Sequence, residues 1–300
     1  MRYDFTNKQE WLEQKRSIIT STESPALFGL SPYKSALELW HEKKDKALSV
    51  IKENERMHWG DILEKSIGLD ICDKKNWKCE HMENVIYLNP KNIYMGSSFD
   101  FFVKDDEKGK GILEIKNVDK YVYYDSWSES EAPLHIEMQL QHQLEVADFD
   151  WGCIGALIGG NELKLYFRER DKKVGDKISN KINDFYDTIT LDWPPEPDFN
   201  KDSDFIISKF SVSNPESKMD YSDDKEFESL CEEYKKISRE EKVYADEKKS
   251  IKAQILLRMQ ETEKVTCNRF SISAKTISGK TISYEKQPYR DFRINEKKVS

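Results

Sequence analysis

Apolar residues recur at two different spacings along the chain, and the switches between them mark its elements. Near the start, Trp11, Leu12, Lys15 and Ile19 fit a short helical face, Ser31-Pro32 marks a turn, and Ala36-Leu37-Glu38-Leu39-Trp40 opens a second helix. Ile62, Leu63, Ile67 and Ile71 predict a helix over 57–72. From 84 to 117 the pattern becomes that of strands. Residues 84–89, 93–103 and 111–118 are short runs rich in β-branched and aromatic side chains, and the charged, glycine-containing stretch 104–111 reads as a hairpin turn. Helical spacing returns with Ile136, Leu140 and Leu144, behind a proline at 133 suited to a first turn. Two strand-like runs then flank Gly159-Gly160-Asn161 as a second hairpin. Val174, Ile178, Ile182, Phe185 and Ile189 form the apolar face of an amphipathic helix, and Pro194-Pro195-Glu196-Pro197 ends the regular structure.

Beyond residue 222 the character changes. Phe227, Leu230, Tyr234, Ile237, Tyr244, Ile251 and Ile255 follow three-four spacing, interrupted by Glu241, Lys248 and Arg258. The interruptions favour a two-helix hairpin, or a helix packed on the body, over a long coiled coil. The tail alternates through Phe270, Ile272, Ala274 and Thr276, turns at Ser278-Gly279 and resumes at Thr281, the pattern of a basic β-hairpin. No internal repeat is visible. The expected organisation is an α/β domain over 1–195 with a central mixed β-sheet flanked by helices, a linker at 196–222, a long charged helical segment at 223–263 and the hairpin tail at 264–300.

Composition narrows the classes. Hydrophobic residues make up 37% and charged residues 35%, polar for a globular chain, while 12% aromatics argue against wholesale disorder. No apolar run approaches the ~20 residues that span a bilayer, and the N-terminus lacks the apolar stretch of a signal peptide. A soluble, cytoplasmic protein with no membrane partner is expected. The five cysteines are irregularly spaced without a C-x-x-C pair, so neither a disulfide scaffold nor a zinc ribbon is expected. Only Cys267 lies in the last sixty residues, so no iron–sulfur cluster is expected either. Net charge is −8, unpromising for a nucleic-acid partner until it is divided: residues 1–200 carry −10 and residues 201–300 carry +2. Residues 264–300 alone hold nine basic and three acidic side chains, and phosphate binding needs such local positive charge. Lys275, Lys280, Arg290 and Arg293 are the candidates for contacting DNA or an acidic partner; a solvated basic hairpin is the bland equivalent.

The densest chemistry is Asp100 followed, after thirteen intervening residues, by Glu114-Ile115-Lys116. Side chains alternate along a strand, so Glu114 and Lys116 share a face while Ile115 points into a core and leaves its carbonyl available. Carboxylates on adjacent strands can converge on a hard cation such as magnesium, which activates water and shields a leaving oxygen in phosphodiester hydrolysis. A nearby lysine can orient or deprotonate that water and offset developing charge. The same spacing also arises by chance or as surface ion pairing. Phe99, Phe101, Phe102, Ile112, Leu113 and Ile115 make both flanks read as core strands, where an unpaired charge is costly.

These motifs, in this order, resemble the YqaJ/lambda-exonuclease family of phage recombination nucleases, within the PD-(D/E)XK superfamily. The likeness runs from about residue 10 to 190. It covers the opening WLEQKRSIITSTESPALFGLSPYKSALELWHEK, the helix HWGDILE, the hairpin pieces SSFDFF and LEIK, the helix IEMQLQHQLEV and the closing ALIGGNELKLYFRERD. It implies a restriction-endonuclease-like core. Asp100, Glu114, the Ile115 carbonyl and Glu64 would hold the metal, Mg2+ with Mn2+ able to substitute. Lys116 would be catalytic, Gln139 would support the site, with Gln141 or Gln143 open to confusion with it, and Lys15, Thr22 and Ser98 would bind a 5′-phosphate or the DNA backbone. Lysine at 15 lacks the bidentate grip of arginine, which the adjacent Arg16 could supply. Two departures are evident: the common Pro-Asp-Gly is Phe99-Asp100-Phe101, and threonine stands at 22 where many members have serine. The implied activity is 5′-to-3′ degradation of linear double-stranded DNA from its ends. The implied partners are a single-strand annealing protein of the RecT or Red-beta kind and further copies of the chain, as a trimeric ring that the 223–262 helix could cement, modify or preclude. The implied setting is a phage or prophage gene in a bacterial cytoplasm. An endonuclease of the same superfamily, or a non-catalytic DNA-binding or inhibitor protein on a nuclease scaffold, would share much of this pattern.

The charge of the tail makes a prediction. Deleting 264–300 is expected to weaken DNA binding and flatten the slope of log affinity against log salt, measured by fluorescence anisotropy. Unchanged binding at low salt would remove the tail from the interface.

Overall fold

The computed structural model describes residues 1–5, 7–45, 54–281, 283 and 289–295. The chain divides into two compact units, Met1–Phe205 and Ile206–Ser300. Among the described residues, no helix is long and apolar enough to cross a membrane.

The first unit is built on a five-stranded sheet. Its strands are β2 (Lys78–His81), β5 (Phe101–Asp105), β6 (Gly109–Val118), β7 (Trp151–Ile158) and β8 (Glu162–Glu169), in the order β2-β5-β6-β7-β8. All pairings are antiparallel except β6–β7, so the sheet is mixed. A smaller sheet, in the order β1-β3-β4, joins β1 (Arg2–Asp4), β3 (Val85–Leu88) and β4 (Gly96–Ser97). The expected continuous strand over 93–103 is therefore broken. Gly96–Ser97 belongs to one sheet and Phe101–Asp105 to the other, with Asp100 in the crossing between them. Strands β1 and β2 were not legible as such, each being four residues or fewer and largely polar.

Helices cover both faces of the main sheet. The expected helices over 57–72, 133–147 and 174–189 are α3 (Glu55–Lys75), α5 (Leu134–Ala147) and α6 (Lys172–Thr190). Alternation along β6 divides the core between them. Leu113 and Ile115 pack with Ile67 and Ile71 of α3, while Ile112 and Val118 lie in the cluster that holds Leu140, Leu144, Ile178 and Ile182. Between β6 and α5 stands α4 (Lys120–Ser126), unforeseen, started by Asp119, whose side chain accepts from Tyr121 N and Val122 N. The α3 backbone lies close on the sheet: a Cβ built on Gly68 would sit 2.1 Å from the Phe101 ring.

The N-terminal segment is tied to the small sheet. Helix α1 (Lys8–Arg16) stops before Ile19, which instead bridges Met95 in parallel, the Ile19 N–H donating to Tyr94 O at 2.7 Å. A turn at Thr20–Glu23 leads into a short 3-10 segment, Ser24–Phe28, and then α2 (Ala36–Asp45). Here Glu23 meets Lys43 of α2 at 2.9 Å. Glu23 also accepts from Thr20 N and Oγ1, and Lys43 donates to Lys15 O, so one ion pair ties α1, the turn and α2 together.

The C-terminal third keeps its expected long helix and differs in its linker and in the turn of its tail. The expected linker contains α7 (Phe199–Lys209), whose Phe205 packs on His41 at 5.5 Å and whose Asp202 is buried, accepting from Asp198 N. The expected long charged helical segment is one unbroken helix, α8 (Lys225–Met259), capped by Asp224, and not the two-helix hairpin that was one of its possible forms. No glycine or proline interrupts it to supply a turn. The tail hairpin pairs β9 (Lys264–Thr266) with β10 (Ser271–Ser273), so its turn falls at 267–270 instead of Ser278-Gly279. The expected second arm includes positions outside the described residues.

Two measurements check this packing. Glycine to alanine within a helix ordinarily adds about 0.5–1 kcal/mol of stability. Gly68→Ala is expected to lose about 1–3 kcal/mol by urea denaturation because the methyl meets Phe101. The Glu23 carboxyl sits below its ordinary 4.5: burial raises it, but Lys43 and the Thr20 N–H outweigh that. Its stabilisation is thus complete above pH 4.5 and fades as pH falls through the depressed folded value. Glu23→Gln should cost on the order of 3 kcal/mol at neutral pH, with the gap to the natural chain closing in acid; a gap constant with pH would refute this.

Candidate active site

Glu114 is 2% exposed and lies on the sheet face covered by α5. A carboxylate so buried must find donors. Its Oε1 accepts from Lys116 Nζ and from Gln139 Nε2, each at 2.6 Å, and its Oε2 accepts from Gln143 Nε2 at 2.7 Å. Lys116 reaches it because residues two apart on a strand share a face. The two glutamines reach it because positions four apart on α5 do likewise. Gln143 also donates to Ser98 O at 3.3 Å and so joins the acid to the crossing segment.

Asp100 approaches from that crossing. Its Oδ2 accepts from Ile115 N–H at 2.7 Å. The β5–β6 ladder ends at Phe101–Leu113, so Asp100 caps β6 just where strand pairing stops. The N–H and C=O of one strand residue point to the same side, which turns the Ile115 carbonyl toward the Asp100 side as well. Burial pushes the Asp100 carboxyl well above the usual carboxylate range, and Glu114 and Glu64 push it further, against Lys116 and the Ile115 N–H. Lys116 is raised: burial lowers it, but Glu114 and Asp100 prevail, so the amine is held as an ammonium. Glu64, on α3, lies 3.1 Å from His81 Nε2, and His81 rests on the Phe101 ring at 4.8 Å. Its carboxyl is raised by burial and by Glu114, with the His81 hydrogen bond opposing. Among the described residues no three His, Cys, Asp or Glu side chains form a ready-made metal cage. Both Glu114 oxygens are turned to nitrogen donors and Asp100 to a backbone N–H.

The four phosphate candidates lie on α1, on the Thr20–Glu23 turn and on the crossing segment. Ser21 and Ser97 share a hydroxyl hydrogen bond at 2.8 Å, which sets the Thr20–Glu23 turn against the segment entering Ser98. Thr22 is exposed at that turn, its Oγ1 3.1 Å from Thr20 Oγ1, and Ser98 is half-buried. Lys15 and Arg16 end α1, which Lys43 ties to the same turn. The Lys15 ammonium lies 3.4 Å from the centre of the Trp11 ring. Arg16 Nε is buried with no acceptor among the described residues. His81 is the neighbour that the sequence did not point to, and Gln143, offered there only as an alternative to Gln139, joins it at the site. Gln143 was visible as the fourth residue after Gln139 on one helix face, whereas nothing local marked His81. His142 is a buried core residue, its Nε2 3.0 Å from Gly96 O, and burial pushes it down to about 4.

Known proteins resemble this chain in sequence and in fold. The YqaJ protein of Bacillus subtilis (strain 168) is 25% identical over 187 residues, 62% of this chain and 57% of that protein. The chain thus spans little more than half of that relative's length. The crystal structure of an alkaline exonuclease from Laribacter hongkongensis superposes with a TM-score of 0.53 at 16% identity, covering 62% of this chain and 94% of that one. The same protein in complex with dAMP gives 0.52 at 17% identity, with the same coverage. At such identities the likeness is one of fold. Residues 10–150, which contain every residue of the site, match the YqaJ-like viral recombinase domain, so over this stretch the chain carries a domain of that family.

Proposed function

We propose that this chain is a metal-dependent deoxyribonuclease that degrades linear double-stranded DNA from 5′ ends, leaving 3′ single strands for phage-type homologous recombination. The observation that carries this reading is Glu114, buried between Lys116 and two glutamine amides, with Asp100 seated on the next peptide N–H. A protein that needed only a folded core would gain stability from apolar residues there. The alkaline exonuclease sharing this fold, and its complex with dAMP, supports the substrate class. Polarity and end dependence rest on the family resemblance.

The donor set suits a hard divalent cation: two carboxylates, Asp100 and Glu114, the Ile115 carbonyl, and Glu64 nearby, their mutual repulsion evident in the raised Asp100. Mg2+ is the ion proposed, with Mn2+ able to replace it. When bound, such an ion supplies Lewis acidity and lowers the pKa of water. Lys116 would orient the attacking water or take its proton, and would offset charge on the phosphoryl oxygens. Gln139 and Gln143 hold the Glu114 carboxylate in one orientation. Thr22, Ser98, Lys15 and Arg16 receive the terminal phosphate, Arg16 with a guanidinium whose Nε has no acceptor among the described residues. A single-strand annealing protein and further copies of the chain, in a bacterial cytoplasm, complete the reading.

The test is one gel series with 5′-phosphorylated linear duplex, 5′-hydroxyl duplex and closed circular DNA in magnesium. Linear phosphorylated DNA should be consumed and circles spared. Asp100→Ala and Lys116→Ala should each lower the rate by about 10²–10³-fold or more, and chelation should abolish it. Cutting of closed circles would point to an endonuclease. DNA binding without cleavage would point to a non-catalytic protein.

A further inference from the structure

Helix α8 carries a feature that the nuclease reading does not use. Phe227, Leu230, Tyr234, Ile237, Ile251 and Ile255 recur at heptad spacing along its 35 residues, and each is 41–59% exposed. Tyr221 stacks on Phe227 at 4.7 Å and Phe292 meets Tyr234 edge-on at 5.4 Å, contacts that leave most of the stripe uncovered. A seam that returns every 3.5 residues stays aligned with a partner helix over five heptads, enough for a coiled coil.

The charges in and around the seam select the partner. The same register places Glu241 and Lys248 at seam positions. Two parallel copies would set Glu241 on Glu241 and Lys248 on Lys248, like charges in contact at the centre of the seam. Antiparallel copies instead set Phe227 opposite Arg258, Leu230 opposite Ile255, Tyr234 opposite Ile251, Ile237 opposite Lys248 and Glu241 opposite Tyr244. That register sets Glu241 of each copy between Lys248 and Glu241 of the other, about a helical turn from each, so that a lysine offsets the like pair that parallel copies would leave face to face. The two halves also differ in sign. Residues 225–241 hold four basic and six acidic side chains, and residues 242–259 hold five and two. Antiparallel pairing lays the acidic half on the basic half. The Glu-rich flank at 226, 233, 240 and 247 meets itself only along the rim, where solvent and salt screen it. We propose that α8 is a self-association element, pairing antiparallel with α8 of a second copy of this chain.

The full chain tests this by sedimentation equilibrium, with helical circular dichroism to confirm folding. The natural chain should reach a higher weight-average mass than the Ile237→Asp/Ile251→Asp variant across the concentration range. Glu241→Lys and Lys248→Glu should each weaken this association about tenfold, equivalent to about 1.4 kcal/mol, and the double reversal should restore it. Only an antiparallel pair gives that rescue. Equal mass in the natural chain and the aspartate variant would overturn the proposal and leave the stripe to the chain's own first unit. Failure of the double reversal to rescue would overturn the antiparallel arrangement. DNA cleavage does not enter the readout, so the outcome is separate from that of the nuclease assay.

Discussion

A carboxylate taken out of water is tolerated only where its lone pairs are met and its charge is answered, and Glu114 imposes that condition on the centre of this protein. Three nitrogens meet it. Lys116 comes from its own strand, and Gln139 and Gln143 come from one face of α5. The demand of one side chain thereby fixes the rotation of α5 over the sheet. It also explains why a face otherwise built from Ile112, Ile154 and Leu140 admits polar groups at this point.

The opposite face of β6 carries no such burden. Leu113 and Ile115 pack with Ile67 and Ile71 of α3. Close approach of α3 at Gly68 holds the helix that bears Glu64. Chemistry and packing are thus separated by the two-residue period of a single strand, polar demands on one side and apolar density on the other. Where β5 ends, Asp100 takes over the hydrogen bonding of β6 by accepting from Ile115 N–H. A group that satisfies the backbone at a strand end is thereby aimed at the same place as Glu114.

The second unit is held differently. Most of α8 is solvated, and its length rests on helix-favouring Glu, Lys, Ala and Leu and on the Asp224 cap rather than on a core. A helix of that kind retains an apolar stripe only at a cost in solubility, which is the physical reason to ask what covers it.

Most helices and the two main hairpins were legible because their apolar periods are local properties of the chain. The pair Glu114 and Lys116 was legible because strand alternation alone puts them together. Gln139 was legible only through resemblance, although its spacing from Gln143 was there to be read. What the linear pattern could not supply was set by contacts between distant segments. The break between Gly96–Ser97 and Phe101–Asp105 exists because each half pairs with a different sheet. Ile19 leaves its helix because Met95 offers a bridge, and Glu23 joins Lys43 across twenty residues. His81 reaches Glu64 only because β2 lies against β5. By itself the sequence determined which residues could carry the chemistry, since residue type and period are intrinsic to it. Tertiary structure alone decided which of them meet, because a buried charge accepts whatever donors the packing of separate elements brings within hydrogen-bond distance.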